Sequence, residues 1–249
     1  MLPSRSKRGI SVYLSARQLL PGNGTSRQPW SFTEDTAQTG LRDWLAAHGH
    51  LLEHSAVDVE LAGDLAFCFC LPFSPAMDNP ANVRQIAEGY LQNALGRHTA
   101  TRLVVAEPLR HGAPVVVVGL QAAAGFTDME DAASRLVRRV QIYSLATWNR
   151  YAQRLPPAPC WLAVIEPRML TLIYSQSHGI VEVVNSRVPG TDQDIDRTIL
   201  DIVRRQFHRP AVGVFCVDEF DRLGDASSGI ELLARHPDGF GPFAQGAGE

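Results

Sequence analysis

The chain has 249 residues, 23 basic and 26 acidic side chains, a formal net charge of −3 and 45% hydrophobic residues. That near balance excludes bulk electrostatic binding of nucleic acid, which needs a basic excess. The length suits one large domain or two small ones, burying roughly 70–75% of the unfolded surface. No stretch approaches the ~18–20 consecutive apolar residues of a membrane span. The start, MLPSRSKRGISVYLSARQLL, has a basic lead, but Ser11, Ser15, Arg17 and Gln18 interrupt its apolar part. It makes a poor secretory signal, and the expectation is a cytoplasmic protein. The four cysteines, Cys68, Cys70, Cys160 and Cys216, all lie in apolar surroundings, as reduced core thiols do.

In chain order, residues 1–8 read as a loose polar lead-in and residues 9–14 as a first strand. A loop at Pro21-Gly22-Asn23-Gly24 follows, then a short strand over 30–32. Residues 35–48 read as a helix with Leu41, Trp44 and Leu45 on one stripe. Residues 57–61 alternate apolar and acidic, as a half-exposed strand does. Gly63-Asp64 then suggests a hairpin into a second strand over 65–71. Asn79 as N-cap and Pro80 at the first helical position predict a helix that Gly96 stops. Its apolar face is Val83, Ile86, Ala87, Tyr90, Leu91 and Ala94.

Residues 103–106 and 115–120 read as strands joined through His111-Gly112. Thr127-Asp128-Met129-Glu130 has the form of a capping box, which predicts a helix over 128–139. A short strand over 140–143 and a helix over 144–154 come next, ended by Pro156-Pro157. Three apolar runs, 161–165, 170–174 and 180–188, form a predicted meander, broken at Pro167-Arg168 and at Ser177-His178-Gly179. A helix over 191–207 points Ile195, Ile199, Ile202 and Val203 inward, and residues 212–217 read as a final buried strand. The glycine- and proline-rich tail, 237–249, has the composition of a flexible segment or linker.

Few motifs carry chemistry. There is no GxGxxG, no GxxxxGK[ST] and no GxSxG elbow. Gly22-Asn23-Gly24 precedes no helical pattern and reads as a surface turn. His48, His50 and His54 are spaced too unevenly for three ligands on one helical face. Cys68 and Cys70 share one strand face without a CxxC pair, and Cys160 has no adjacent base. The basic clusters Arg135/Arg138/Arg139 and Arg204/Arg205/Arg209 read as solvated helix faces. Asp218, Glu219 and Asp221 follow a strand, the place where open α/β sheets bind ligands, and are the best residual candidates for a metal or hydroxyl site. No residue is assigned as catalytic, cofactor-binding or metal-binding.

Two blocks carry a family resemblance. LPFSPAMDNPANVRQIAEGYLQNALG (71–96) and WNRYAQRLPPAPCWLAVIEPRMLTLIY (148–174) resemble segments of the cytoplasmic domain of the type II secretion L protein and of the type IV pilus M protein. The resemblance implies an α/β, two-lobed actin-like (ribonuclease-H-like) fold of mixed sheets and packed helices. The lobes would span 9–155 and 156–236. Phosphate-holding turns would fall at Leu14-Ser15-Ala16-Arg17 and at Glu166-Pro167-Arg168, yet neither has Asp-x-Gly, and Pro167 lacks the N–H a phosphate loop uses. Asp218-Glu219 stands where an adenine-side Gly-Gly turn would be. The nucleotide site is therefore expected to be degenerate and no cofactor is implied.

The implied function is a non-catalytic scaffold of a secretion or pilus assembly platform. Its partners would be a membrane-anchored assembly protein and an assembly ATPase, with the chain held peripherally at the inner membrane. Two alternatives stay open: an actin-like ATP-binding protein with Asp218, Glu219 or Glu166 near the metal, and an unrelated α/β enzyme working at Asp218–Asp221.

Overall fold

A computed structural model describes residues 10–22, 29–32, 36–49, 56–95, 100–105, 112–121, 124–125, 136–188, 195–206, 208–223 and 229–235. β1 (Ile10–Leu14) turns back into β2 (Gln18–Pro21), which also pairs with the short β3 (Trp30–Ser31). α1 (Ala37–His48) starts at Thr36, whose side chain accepts the Thr39 N–H as an N-cap. β4 (Val57–Leu61) then enters parallel to β1. β5 (Ala66–Leu71), α2 (Pro80–Leu95), β6 (Ala100–Val105) and β7 (Val115–Gln121) build a separate antiparallel sheet of order β5-β7-β6. β8 (Val137–Ile142) returns parallel to β4 and completes a first sheet of order β3-β2-β1-β4-β8.

α3 (Tyr143–Tyr151) and a 3₁₀ turn at Ala152–Arg154 cross to the second lobe. There β9 (Cys160–Ile165), β10 (Met169–Gln176) and β11 (Gly179–Arg187) form an antiparallel meander. After α4 (Ile195–Arg205), β12 (Val214–Asp218) lies parallel to β9 and β13 (Ile230–Arg235) parallel to β12. The second sheet has the order β11-β10-β9-β12-β13, the same connectivity as the first. Each lobe is thus a three-strand meander, a helix and two further parallel strands. The β5–β7 unit is inserted between the last two strands of the first lobe.

The two lobes share a core. Every residue of β9 is buried. Leu162 and Val164 join Val12, Leu14, Leu61 and Phe220 in one cluster, while Trp161, Ala163 and Ile165 face Ile195 and Ile199 of α4 in another. A strand covered on both faces has no polar side, so it reads as a continuous apolar run rather than an alternation.

The structure corrects several expectations. Residues 57–61 and 65–71 do not form a hairpin, because both flanks of β4 are taken by the parallel strands β1 and β8. The Gly63-Asp64 turn instead leads the chain out into the second, smaller sheet, where Phe67 and Phe69 are buried with Val83 and Ala87 of α2. The helix expected over 128–139 ends in a strand: residues 137–139 belong to β8, and the capping box lies outside the described residues. Residues 18–21 form β2, so Pro21, expected in a loop, ends a strand instead, and 212–217 is not the last strand, since β13 follows. His50, His54, Gly96, Arg135 and the tail 237–249 also lie outside the described residues.

Phe67 sits opposite Gly119 in the β5–β7 register, and a Cβ at Gly119 would meet its ring at 2.6 Å. Gly119→Ala is expected to push that ring off its seat against α2 and cost about 1–3 kcal/mol in urea unfolding, the usual penalty of overpacking.

Candidate functional site

The turns after β1, β4, β9 and β12 meet between the lobes, at the carboxyl ends of parallel strands. This is where ligands bind in open α/β sheets. The β1–β2 turn (residues 15–17) and the β9–β10 turn (residues 166–168) both reach a small cavity lined by Tyr13, Ser15, Asp64, Pro167, Arg168 and Met169. Its volume is about 10 Å³, room for about one water molecule. Ser15 closes its own turn: its hydroxyl donates to the Gln18 carbonyl at 3.1 Å and accepts the Gln18 N–H at 3.3 Å.

Glu166 fills the space between the turns. Its Oε2 accepts the Tyr13 hydroxyl at 3.0 Å and the Gly63 N–H at 2.8 Å, while Oε1 has no partner among the described residues. A Cβ on Gly63 would come within 2.9 Å of Met169 and 3.1 Å of Glu166 Oε1, so only glycine leaves room for the approach. Burial pushes the Glu166 carboxyl up to about 8, with its two hydrogen bonds opposing and the nearby Asp64 and Glu60 adding to the rise. Pro167, next in the chain, gives its carbonyl to the buried Arg222 guanidinium at 2.6 Å. Asp64 accepts the Ala16 N–H at 3.4 Å, and burial raises its carboxyl as well.

A second polar cluster lies beside the first. Arg150 of α3 reaches Glu60 at 3.3 Å and Glu219 at 3.4 Å. Tyr143 donates to Glu219 at 3.0 Å and Tyr151 does so at 3.3 Å. Burial pushes Glu60 up to about 7 against the pull of Arg150. Tyr13, Tyr143 and Phe220 pack edge to face around these groups, with ring centroids 4.6 to 5.4 Å apart.

The acidic trio separates in the structure. Asp218 accepts the N–H groups of Arg222 and Leu223 and so closes its own loop. Glu219 turns to Arg150 and the tyrosines, and Asp221 is exposed with φ 54°. Among the described residues no three His, Cys, Asp or Glu side chains converge on a metal position. His48 packs between Trp30 and Trp44, its Nδ1 2.9 Å from the Trp44 carbonyl. The four cysteines are unbridged; Cys68 touches Ser144, burial pushing its thiol up to about 12, and Cys70 is only partly buried. Arg138 pairs with Asp58 from a strand rather than a helix, Arg204 pairs with Asp201, and Arg209 with Glu182.

No family model matches the chain, and no curated protein matches it. Solved structures do. A Bacteroides thetaiotaomicron protein of unknown function with an actin-like ATPase fold aligns at TM-score 0.53 and 11% identity, over 89% of this chain and 86% of that one. The cytoplasmic domain of EpsL, an inner-membrane component of the type II secretion system of Vibrio cholerae, aligns at TM-score 0.51 and 14% identity, over 92% and 89%. A PilM–PilN type IV pilus biogenesis complex gives TM-score 0.53 and 13% identity, over 92% and 90%. The chain has the two-lobed actin-like fold.

Sequence reasoning reached Glu166 and Glu219 but not Tyr13, Glu60, Gly63, Asp64, Tyr143 or Arg150. Glu60 lies on the side of β4 that alternation assigns to solvent; α3, far along the chain, covers it. Removing Arg150 leaves two buried carboxyls facing each other. Arg150→Ala is expected to cost about 2 kcal/mol or more, the low end for breaking a buried pair because the guanidinium is itself 38% exposed. Adding Glu60→Gln should recover part of that loss in the same denaturation assay.

Proposed function

We propose that this protein is a non-catalytic cytoplasmic scaffold of a type II secretion or type IV pilus-like assembly platform, its nucleotide site degenerate. It docks on a membrane-anchored assembly component and on the assembly ATPase, and reaches the inner membrane through them. Residues 9–155 and 156–236 are its two lobes. The observation that carries the non-catalytic reading is Glu166, whose carboxyl bridges to Tyr13 and Gly63 in the gap between the turns that the family resemblance equates with phosphate loops. Beside it the β9–β10 turn offers Pro167, which has no N–H to direct at an anion. The fold shared with EpsL, a type II secretion system component, and with the PilM–PilN type IV pilus biogenesis complex supports the platform role. No helix among the described residues is long and apolar enough to cross a membrane.

Two measurements test this. Equilibrium titration with labelled ATP and magnesium should show no saturable binding; a micromolar isotherm would instead support an ATP-binding protein with non-standard loops around Glu166, Asp218 and Glu219. Tagged protein recovered from its native cells should bring down a membrane-anchored assembly component, and recovery of no envelope-machine protein overturns the scaffold role.

A further inference from the structure

Two buried carboxyls of the second lobe bond to groups outside it. Glu219 has a cation, Arg150, and two tyrosine hydroxyls. Glu166 has the Tyr13 hydroxyl and the Gly63 N–H, and no cationic side chain bonds to it among the described residues. We propose that Glu166 is a proton-operated latch between the lobes: its protonated carboxyl holds the β9–β10 turn against β1 and the β4–β5 turn, and its ionisation releases that turn. The latch is independent of any assembly partner and acts on the seat of the β9–β10 turn.

The geometry suits a switch. Glu166 is fully buried, and both of its bonds go to the first lobe, 153 and 103 residues away in sequence. Both converge on Oε2, while Oε1 is buried with no partner among the described residues. A lone ionised carboxylate in so dry a place is far costlier than a neutral one. The titratable groups that face it from the packed elements are Tyr13 on β1, Glu60 on β4, Asp64 in the following turn, Cys68 on β5 and Tyr143 on α3. None of these is a cation. Of the nearby arginines, Arg150 is held by Glu60 and Glu219, Arg222 by the Pro167 carbonyl, and the exposed Arg168 acts on Asp64. When the turn lifts, the proton passes to water and the carboxylate gains water hydrogen bonds in exchange, while the shared apolar core stays packed.

The sign follows from linkage. The carboxyl titrates near 4.5 in water and at about 8 in the closed cleft, so the closed form binds more protons between those values. The stability of closure is complete below about pH 4.5, is lost as the pH rises, and levels off above about 8. Glu60, raised to about 7, adds a smaller dependence of the same sign.

The test reads the exchange of the Gly63 amide proton by NMR, corrected for the intrinsic pH dependence of exchange. In the wild type the opening constant should rise by about tenfold per pH unit from roughly pH 6 towards 8. Glu166→Gln keeps an amide oxygen for Tyr13 and Gly63, and should flatten that slope and leave the turn seated at high pH. A measurement on the wild type alone stands beside it: the infrared band of a buried protonated carboxyl should be present at neutral pH and vanish at alkaline pH. A flat wild-type profile, no protonated-carboxyl band at neutral pH, or an unchanged slope in Glu166→Gln with the slope lost in Glu60→Gln would each overturn the proposal.

Discussion

The arrangement depends on a carboxyl group with nowhere else to go. Glu166 leaves the end of β9 directly into the gap between the lobes, and the hydrogen bonds of its carboxyl among the described residues both go to the other lobe. A buried polar group must find a partner or cost free energy. That requirement sets Tyr13 on the inner face of β1 and glycine at position 63, and it brings the β1–β2 and β9–β10 turns within reach of one cavity. The gap between those two turns is filled by side chains.

Around that contact the second polar cluster works differently. Arg150 on α3 lies between Glu60 and Glu219, so the connecting helix is pinned to both sheets by charge. The three aromatic rings between the clusters exclude water and lower the local dielectric, which strengthens each paired bond and penalises each unpaired charge. Among the described residues the two clusters together form a packed polar interface at the lobe boundary.

Much of the second lobe was legible. The runs at 161–165, 170–174 and 180–188 are β9 to β11 within a few residues, and Asn79-Pro80 does open α2. These elements announce themselves because their patterns are local: an apolar run between turn residues, a cap before an amphipathic face. The pairing of β4 was not legible in this way. Alternation in 57–61 and a Gly-Asp turn fit a hairpin equally well, and only the arrival of β1 and β8 on both flanks excludes it. The polar site was half legible: the family resemblance and the strand ends pointed to Glu166 and Glu219, whereas their partners lie 68 to 153 residues away with no local pattern to mark them.

The sequence by itself therefore determined most of the strands, the helix that Asn79 and Pro80 open, the two-lobed fold implied by two short blocks, and the lack of Asp-x-Gly at both turns. Tertiary structure alone decided which acidic side chains are buried and what neutralises them. The reason is physical: hydrophobic periodicity acts over a few residues, while the protonation and pairing of a carboxyl depend on which distant groups displace its water.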